Sequence, residues 1–134
     1  MRLSAIRSKA VAFGLLTDIL GSIFIGLALS IILVLYSGDP TGNRLRELSA
    51  NTMVKLIGLA GTLFFTALGG YVAARMSDPY GAENSLAVGL LSLSLGIMLA
   101  ISVPGVTPQW KIVLGCILTV PAAMLGGRLA KRPG

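Results

Sequence analysis

Residues 19–36 read ILGSIFIGLALSIILVLY, eighteen residues without a single charge. A helix needs about 20 apolar residues to cross the hydrocarbon of a bilayer. Unpaired backbone amides are too costly there, so a spanning chain must be helical or part of a closed barrel. The run lacks the polar–apolar alternation of barrel strands, which leaves the helix. Carried back to residue 11, the first span covers 11–36. The basic leader MRLSAIRSK at residues 1–9 precedes it. The apolar run outlasts the roughly 7–15 residues of a cleavable signal core, so an uncleaved anchor is expected.

Three further segments have the same character, at about 56–74, 85–103 and 112–130. The whole chain agrees with them. Of its 134 residues 54% are hydrophobic and 12% charged, against roughly 25% charged in a soluble domain. Mean hydropathy is +0.86. Most of the seventeen glycines lie inside apolar runs, where a disordered linker would not put them. A soluble enzyme, a disulfide scaffold and an acidic or low-complexity tail protein are excluded. The expected fold is all-α, a polytopic membrane four-helix bundle forming a single membrane domain over 1–134.

Lysine and arginine set the orientation. Arg2, Arg7, Lys9, Arg75, Arg128, Lys131 and Arg132 fall on one side, and Arg44, Arg46, Lys55 and Lys111 on the other, with Asp39 and Glu47 among them. The expected location is the inner (plasma) membrane, with both termini cytoplasmic. The net charge of +6 is then largely this asymmetry, with attraction to anionic lipid headgroups. No soluble module presents it to nucleic acid, so membrane lipids are the expected partners. Tyr36 and Trp110 fall at the expected outer boundary, and Tyr71 and Tyr80 near the inner one, the depth that amphipathic rings prefer.

The chain also echoes itself. GLAGTLFFTALGGYVAAR at 58–75 and GCILTVPAAMLGGRLAKR at 115–132 match at seven of eighteen positions without a gap. Composition this biased gives roughly two by chance. GLLTDILG at 14–21 and GLLSLSLG at 89–96 match at five of eight, with Thr17 opposite Ser92. Two parallel-repeat helical hairpins are expected, over about 10–78 and 84–134, related by a pseudo-two-fold axis along the membrane normal. They differ mainly in the first outer loop, 37–52. It opens on a Gly-Asp-Pro-Thr-Gly-Asn turn cluster, and a short interfacial helix is expected over 44–50. The second outer loop, 104–108, is minimal.

Helices in lipid associate by close approach of small residues. Gly58, Thr62, Thr66 and Gly70 form such a stripe in the second span, and Gly115, Thr119, Ala123 and Gly127 in the fourth. The first span has Ser22, Gly26 and Ser30. The third has Ser85 and Gly89, then Ser92, Gly96 and Ala100. These predict tight packing, within the chain for the second and fourth spans. Pro121 removes a helical hydrogen bond and crowds the carbonyl of Ile117, predicting a kink. Its readings are curvature around the bundle, or a functional role as a hinge or as an exposed carbonyl that binds a cation.

The inventory of reactive groups is short. The chain has no histidine and one cysteine, Cys116, read as a small buried apolar residue. The Gly-Gly pairs lack the Lys-Ser/Thr of a phosphate loop. No catalytic residue, cofactor or metal site is expected, and the protein is not read as an enzyme. Asp18 is the one acid that can lie within hydrocarbon, a candidate ion or proton site by default. It stands just outside the charge-free run, so a second reading puts it near the inner headgroups, in water. Arg75 and Arg132 are candidate partners. The repeated copy has Leu93 in its place. Thr17, Thr62, Thr66 and Thr119 are expected to bond back to their own helices. Asn84 is expected to cap the third span, with Glu83 favoured by the helix dipole.

The motif Gly69-Gly70-x-x-Ala73-x-Arg75, before a glycine-rich third span, resembles small uncharacterised four-span bacterial inner-membrane proteins. The resemblance covers most of the chain and implies no activity. Small multidrug-resistance transporters also keep an acid in the first span, as Asp18 is, but surround it with tryptophan and tyrosine, which this chain lacks. Fluoride channels of similar length depend on asparagine and phenylalanine patterns that are not found here. The leading expectation is a non-enzymatic helix-packing accessory or assembly subunit of a membrane complex, or a homo-oligomer. The alternative is a small transporter or channel with Asp18 as its ion or proton site and Pro121 as a hinge. A third is a holin-like permeabilising protein.

Overall fold

The charge-free runs form four long helices, joined by turns where glycine, proline and charge collect. The computed structural model describes residues 5–38, 42–105 and 107–131. The elements are α1 (Ser8–Ser37), α2 (Asn43–Ala50), α3 (Thr52–Met76), α4 (Gly81–Ser102) and α5 (Gln109–Ala130). No strand occurs among the described residues. At about 1.5 Å per residue even the 22-residue helices reach roughly 33 Å, against about 30 Å of hydrocarbon. Four helices are thus long and apolar enough to cross a membrane, as a multi-pass membrane protein requires. Each starts or ends a few residues beyond its charge-free run. Helical geometry continues into the headgroup layer, where charge is tolerated.

The ends have local causes. α1 stops at Gly38, whose φ of 65° is left-handed and whose N–H bonds to the Val34 carbonyl. Glycine is the residue that takes this conformation without steric cost. The Asn51 side chain accepts from the Met53 N–H at 2.8 Å and starts α3 directly after α2. Pro108 precedes α5, its missing N–H costing nothing at a helix start. Arg75 and Arg128 lie in the last turns of α3 and α5, favourable against the helix dipoles. α2 takes the place of the expected interfacial helix. Residues 39–41 of the turn cluster lie outside the described residues, as do Arg2, Asp39, Val106 of the second loop, and Arg132.

α3 packs on α1, α4 and α5, and α5 also packs on α4. The starts of α1 and α4 meet the ends of α3 and α5 at what we call the terminal end of the bundle. There the backbones almost touch. A Cβ added at Gly14 would lie 2.6 Å from the Gly69 carbonyl oxygen. One at Gly70 would collide with the backbone of Ala123, and one at Gly126 with that of Ala67. The buried centre is made of small side chains, Val11, Ala73, Ala87 and Val88. Large apolar side chains point outward instead, Phe24, Leu35 and Ile101 among them, as a lipid-facing surface requires. Towards the loop end contact thins, and a Cβ at Gly26 or Gly96 would meet nothing within 4 Å.

Asn84 corrects an expectation. α4 starts at Gly81, so Asn84 lies in its first turn and does not cap it. Fully buried, it clasps the chain's N-terminal segment. Its carbonyl accepts from the Arg7 N–H at 2.8 Å, and its amide donates to the Ala5 and Tyr80 carbonyls at 3.0 and 2.8 Å. Asn84→Ala leaves the Arg7 N–H and the Ala5 carbonyl without these partners. We expect a loss of about 1–3 kcal/mol, read as a lower unfolding midpoint by circular dichroism in mixed micelles. Asn84→Asp, which keeps only the acceptor, should fall between. An unchanged midpoint for Asn84→Ala would deny the clasp.

Candidate functional site

Asp18 stands ten residues into α1, about 15 Å along the helix from Ser8. The buried positions Val11, Gly14, Asp18 and Gly21 recur at three- and four-residue spacing, so they share one face. Gly14 lets α3 approach at Gly69 below the carboxylate, and Gly21 admits the Phe65 ring above it. Asp18 is 6% exposed. It is therefore enclosed by helices and not open to water.

Both carboxylate oxygens are engaged, each by a different helix. Thr66 on α3 donates its hydroxyl to Oδ1 at 2.7 Å. Ser92 on α4 donates its hydroxyl to Oδ2. Arg75 is not a partner. It is exposed near the terminal end, with its guanidinium carbon 5.9 Å from the Tyr71 ring centroid. Arg132 lies outside the described residues. Among the described residues no three His, Cys, Asp or Glu side chains gather as a metal site would need.

Thr66 has a second acceptor. Its hydroxyl also lies 3.0 Å from the Thr62 carbonyl, one turn back in α3. A hydroxyl holds one hydrogen and can donate to one of these oxygens at a time. Given to Asp18, the hydrogen stabilises a carboxylate. Given to Thr62, it leaves a lone pair free to accept from a protonated Asp18. The site therefore satisfies its acid in both protonation states.

The other candidate positions divide by depth. Gly70, Ala123 and Gly127 are buried where helices touch, Gly127 against Ser85. Ser85 itself bonds across to the Gly70 carbonyl at 2.9 Å. Thr17, Thr62 and Thr119 donate to carbonyls of their own helices, as their sequence positions predict. Thr66 alone of the four also reaches across to another helix. Gly58 and Gly115, nearer the loop end, have only loose neighbours, Leu29 and Lys111 at 3.5 and 3.9 Å and Leu59 at 3.9 Å. Ser22 and Ser30 lie on the sparsely packed upper part of α1, and Ser30 bonds back to Gly26.

Between α4 and α5 this looser half opens into a groove of about 410 Å³, with Ser92 at its inner end and Lys111 near the α4–α5 turn. Cys116 lines it and is half-buried, so the thiol is less enclosed than its apolar setting predicts. Ser92 is the site residue that sequence reasoning left among the packing residues. Its signal was a hydroxyl in a charge-free run, in register with Thr17 beside Asp18.

α5 continues as a helix through Pro121, whose missing N–H leaves the Ile117 carbonyl without its helical donor. Pro121→Ala restores that bond. We expect a straighter helix and unchanged membrane insertion, checked by glycosylation mapping of the flanking loops. Lost insertion would show that the proline is needed for more than curvature.

No protein-family model, no curated protein and no solved structure matches the chain.

Proposed function

We propose that the chain is a small transport protein of the bacterial inner membrane, a transporter or channel, in which Asp18 takes up and releases a proton. One observation carries this reading. Asp18 is buried between three helices, held by hydroxyls alone, one of which has an alternative acceptor. An ionisable side chain inside a membrane bundle is expensive to keep and is by default functional. One carboxylate with two hydroxyls suits a proton better than a metal ion, since no three metal-ligating side chains gather among the described residues. In this reading both termini are cytoplasmic, by the excess of lysine and arginine on that side. In this reading the two hairpins are copies of one unit, which the seven matches between 58–75 and 115–132 support.

The test is proton flux in proteoliposomes with a trapped pH-sensitive dye, driven by a potassium diffusion potential. Wild-type protein should carry protons above the leak of empty vesicles, and Asp18→Asn should return the rate to that leak. Wild-type vesicles no leakier than empty ones, or a fully active Asp18→Asn, would sink the reading.

A second reading keeps the chain as a helix-packing accessory subunit or homo-oligomer. The bare outer flank of α1 favours it, where Gly26 faces open space amid exposed Ile23, Leu27 and Ile31. A membrane protein that co-purifies in fixed stoichiometry, and is lost with Gly26→Leu, would support it.

A further inference from the structure

We propose that the groove between α4 and α5 holds one acyl chain of an anionic phospholipid, whose phosphate rests against Lys111 and Lys55. The inference is independent of the proton reading of Asp18. At the terminal half α4 and α5 are closed on each other. A Cβ at Gly89 would lie 3.1 Å from the Ala123 side chain and 3.2 Å from the Val120 Cα. Toward the loop end they part. Gly96 has nothing within 4 Å of such a Cβ, and Gly115 only a Leu59 methyl at 3.9 Å. The space between is lined by Leu93, Ile97, Ala100, Val103 and Ile112, with a volume of about 410 Å³. That is a slot for hydrocarbon.

Charge decides the headgroup. Lys111 lines the groove, is half-buried, and lies close enough to Lys55 to be repelled by it. Among the described residues neither lysine has a carboxylate partner. Both sit in the first turns of their helices, and Lys111 follows Trp110, a residue type that prefers the membrane–water interface. Two neighbouring cations at the mouth of an apolar slot call for an anion with a hydrocarbon tail. A zwitterionic lipid brings its own cation to the pair and gains less. A helix from a second copy would leave both lysines without a counter-charge.

Trp110 is the only tryptophan in the chain and immediately precedes Lys111, so its fluorescence reports on lipid at the mouth of the groove. The full-length protein is placed in bilayers with chain-labelled doxyl phosphatidylglycerol or doxyl phosphatidylcholine at equal mole fraction, and Trp110 quenching is compared. We expect the anionic lipid to be preferred about tenfold, given two lysines near the membrane surface. Lys55→Gln/Lys111→Gln should bring the preference close to one. Gly96→Leu should weaken phosphatidylglycerol binding with both lysines intact. That leucine enters the slot without meeting protein atoms at its Cβ, so the fold is kept. Equal quenching by the two lipids in the native protein overturns the proposal, and so does a preference that survives the double lysine substitution. A preference untouched by Gly96→Leu also overturns it, since the site would then hold a headgroup and no chain. Weak quenching by both lipids together with a dimeric mass in detergent would give the groove to a second copy.

Discussion

Gly70→Ala and Gly126→Ala should each force α3 and α5 apart and cost the bundle about 1–3 kcal/mol, the range for overpacking a filled interior. At Gly70 the added carbon runs into the carbonyl oxygen, carbonyl carbon and Cα of Ala123. At Gly126 it meets the same three atoms of Ala67. A side chain in the way could rotate, but backbone cannot, so one whole helix has to move. Helix pairs in lipid hold together by close approach, and a forced separation forfeits the dispersion contacts along both flanks. The two substitutions act on one interface, so their effects should not add. Gly26→Ala and Gly96→Ala are the matched controls. Neither new methyl group has a neighbour within 4 Å. Both should be neutral or stabilising by about 0.5–1 kcal/mol, because alanine is the better helix former. Unfolding midpoints in mixed micelles separate the pairs by sign. Four glycines that respond alike would mean that α3 and α5 do not cross at this distance.

The same contrast marks where sequence reading succeeds. Four spans were legible because hydrocarbon imposes a length and forbids charge, and both conditions are local. The stripes Gly58–Thr62–Thr66–Gly70 and Gly115–Thr119–Ala123–Gly127 were legible as packing faces by their four-residue spacing. Their unequal use was not. Gly70 and Gly127 are pressed against neighbours while Gly58 and Gly115 are nearly free. Small residues permit approach, and the crossing of whole helices decides where it happens. The groove has the same origin. Gly89 meets Ala123, whereas about two turns away Gly96 in α4 has no neighbour and Gly115 in α5 only a Leu59 methyl at 3.9 Å. Lys111 reads in the sequence as one charge of an orientation count, and only the fold puts it beside Lys55. Asn84 reads as a cap because a short polar residue precedes an apolar run. α4 starts three residues earlier, once the Ala5 carbonyl and the Arg7 N–H are there to satisfy the amide. The pairing of Asp18 with Thr66 and Ser92 spans separations of 48 and 74 residues, beyond any local pattern.

Asp18→Asn should abolish proton flux while leaving the bundle about as stable as wild type. The stability half follows from the hydrogen bonds. An amide at this position accepts the Ser92 hydroxyl on its oxygen. Its N–H donates to the Thr66 oxygen, provided Thr66 passes its own hydrogen to Thr62, 3.0 Å away. The amide oxygen and nitrogen each keep one partner, so the cost is limited to the second N–H. Thr66→Val removes one of the two donors at nearly constant volume. It should cost about 0.6 kcal/mol, the mean for such bonds between membrane helices. It should slow flux without stopping it, because the carboxyl remains. The transport half follows from chemistry: an amide in this place neither gains nor loses a proton at neutral pH. A purely structural Asp18 predicts the opposite association, in which any loss of flux tracks a loss of stability across Asp18→Asn, Thr66→Val and Ser92→Ala. Flux and unfolding midpoint measured on the same three preparations distinguish the two. If Asp18→Asn is as stable as wild type and still carries protons, then Asp18 is neither the proton site nor the element that holds the bundle together. Its place would be that of a polar contact between α1, α3 and α4 and no more.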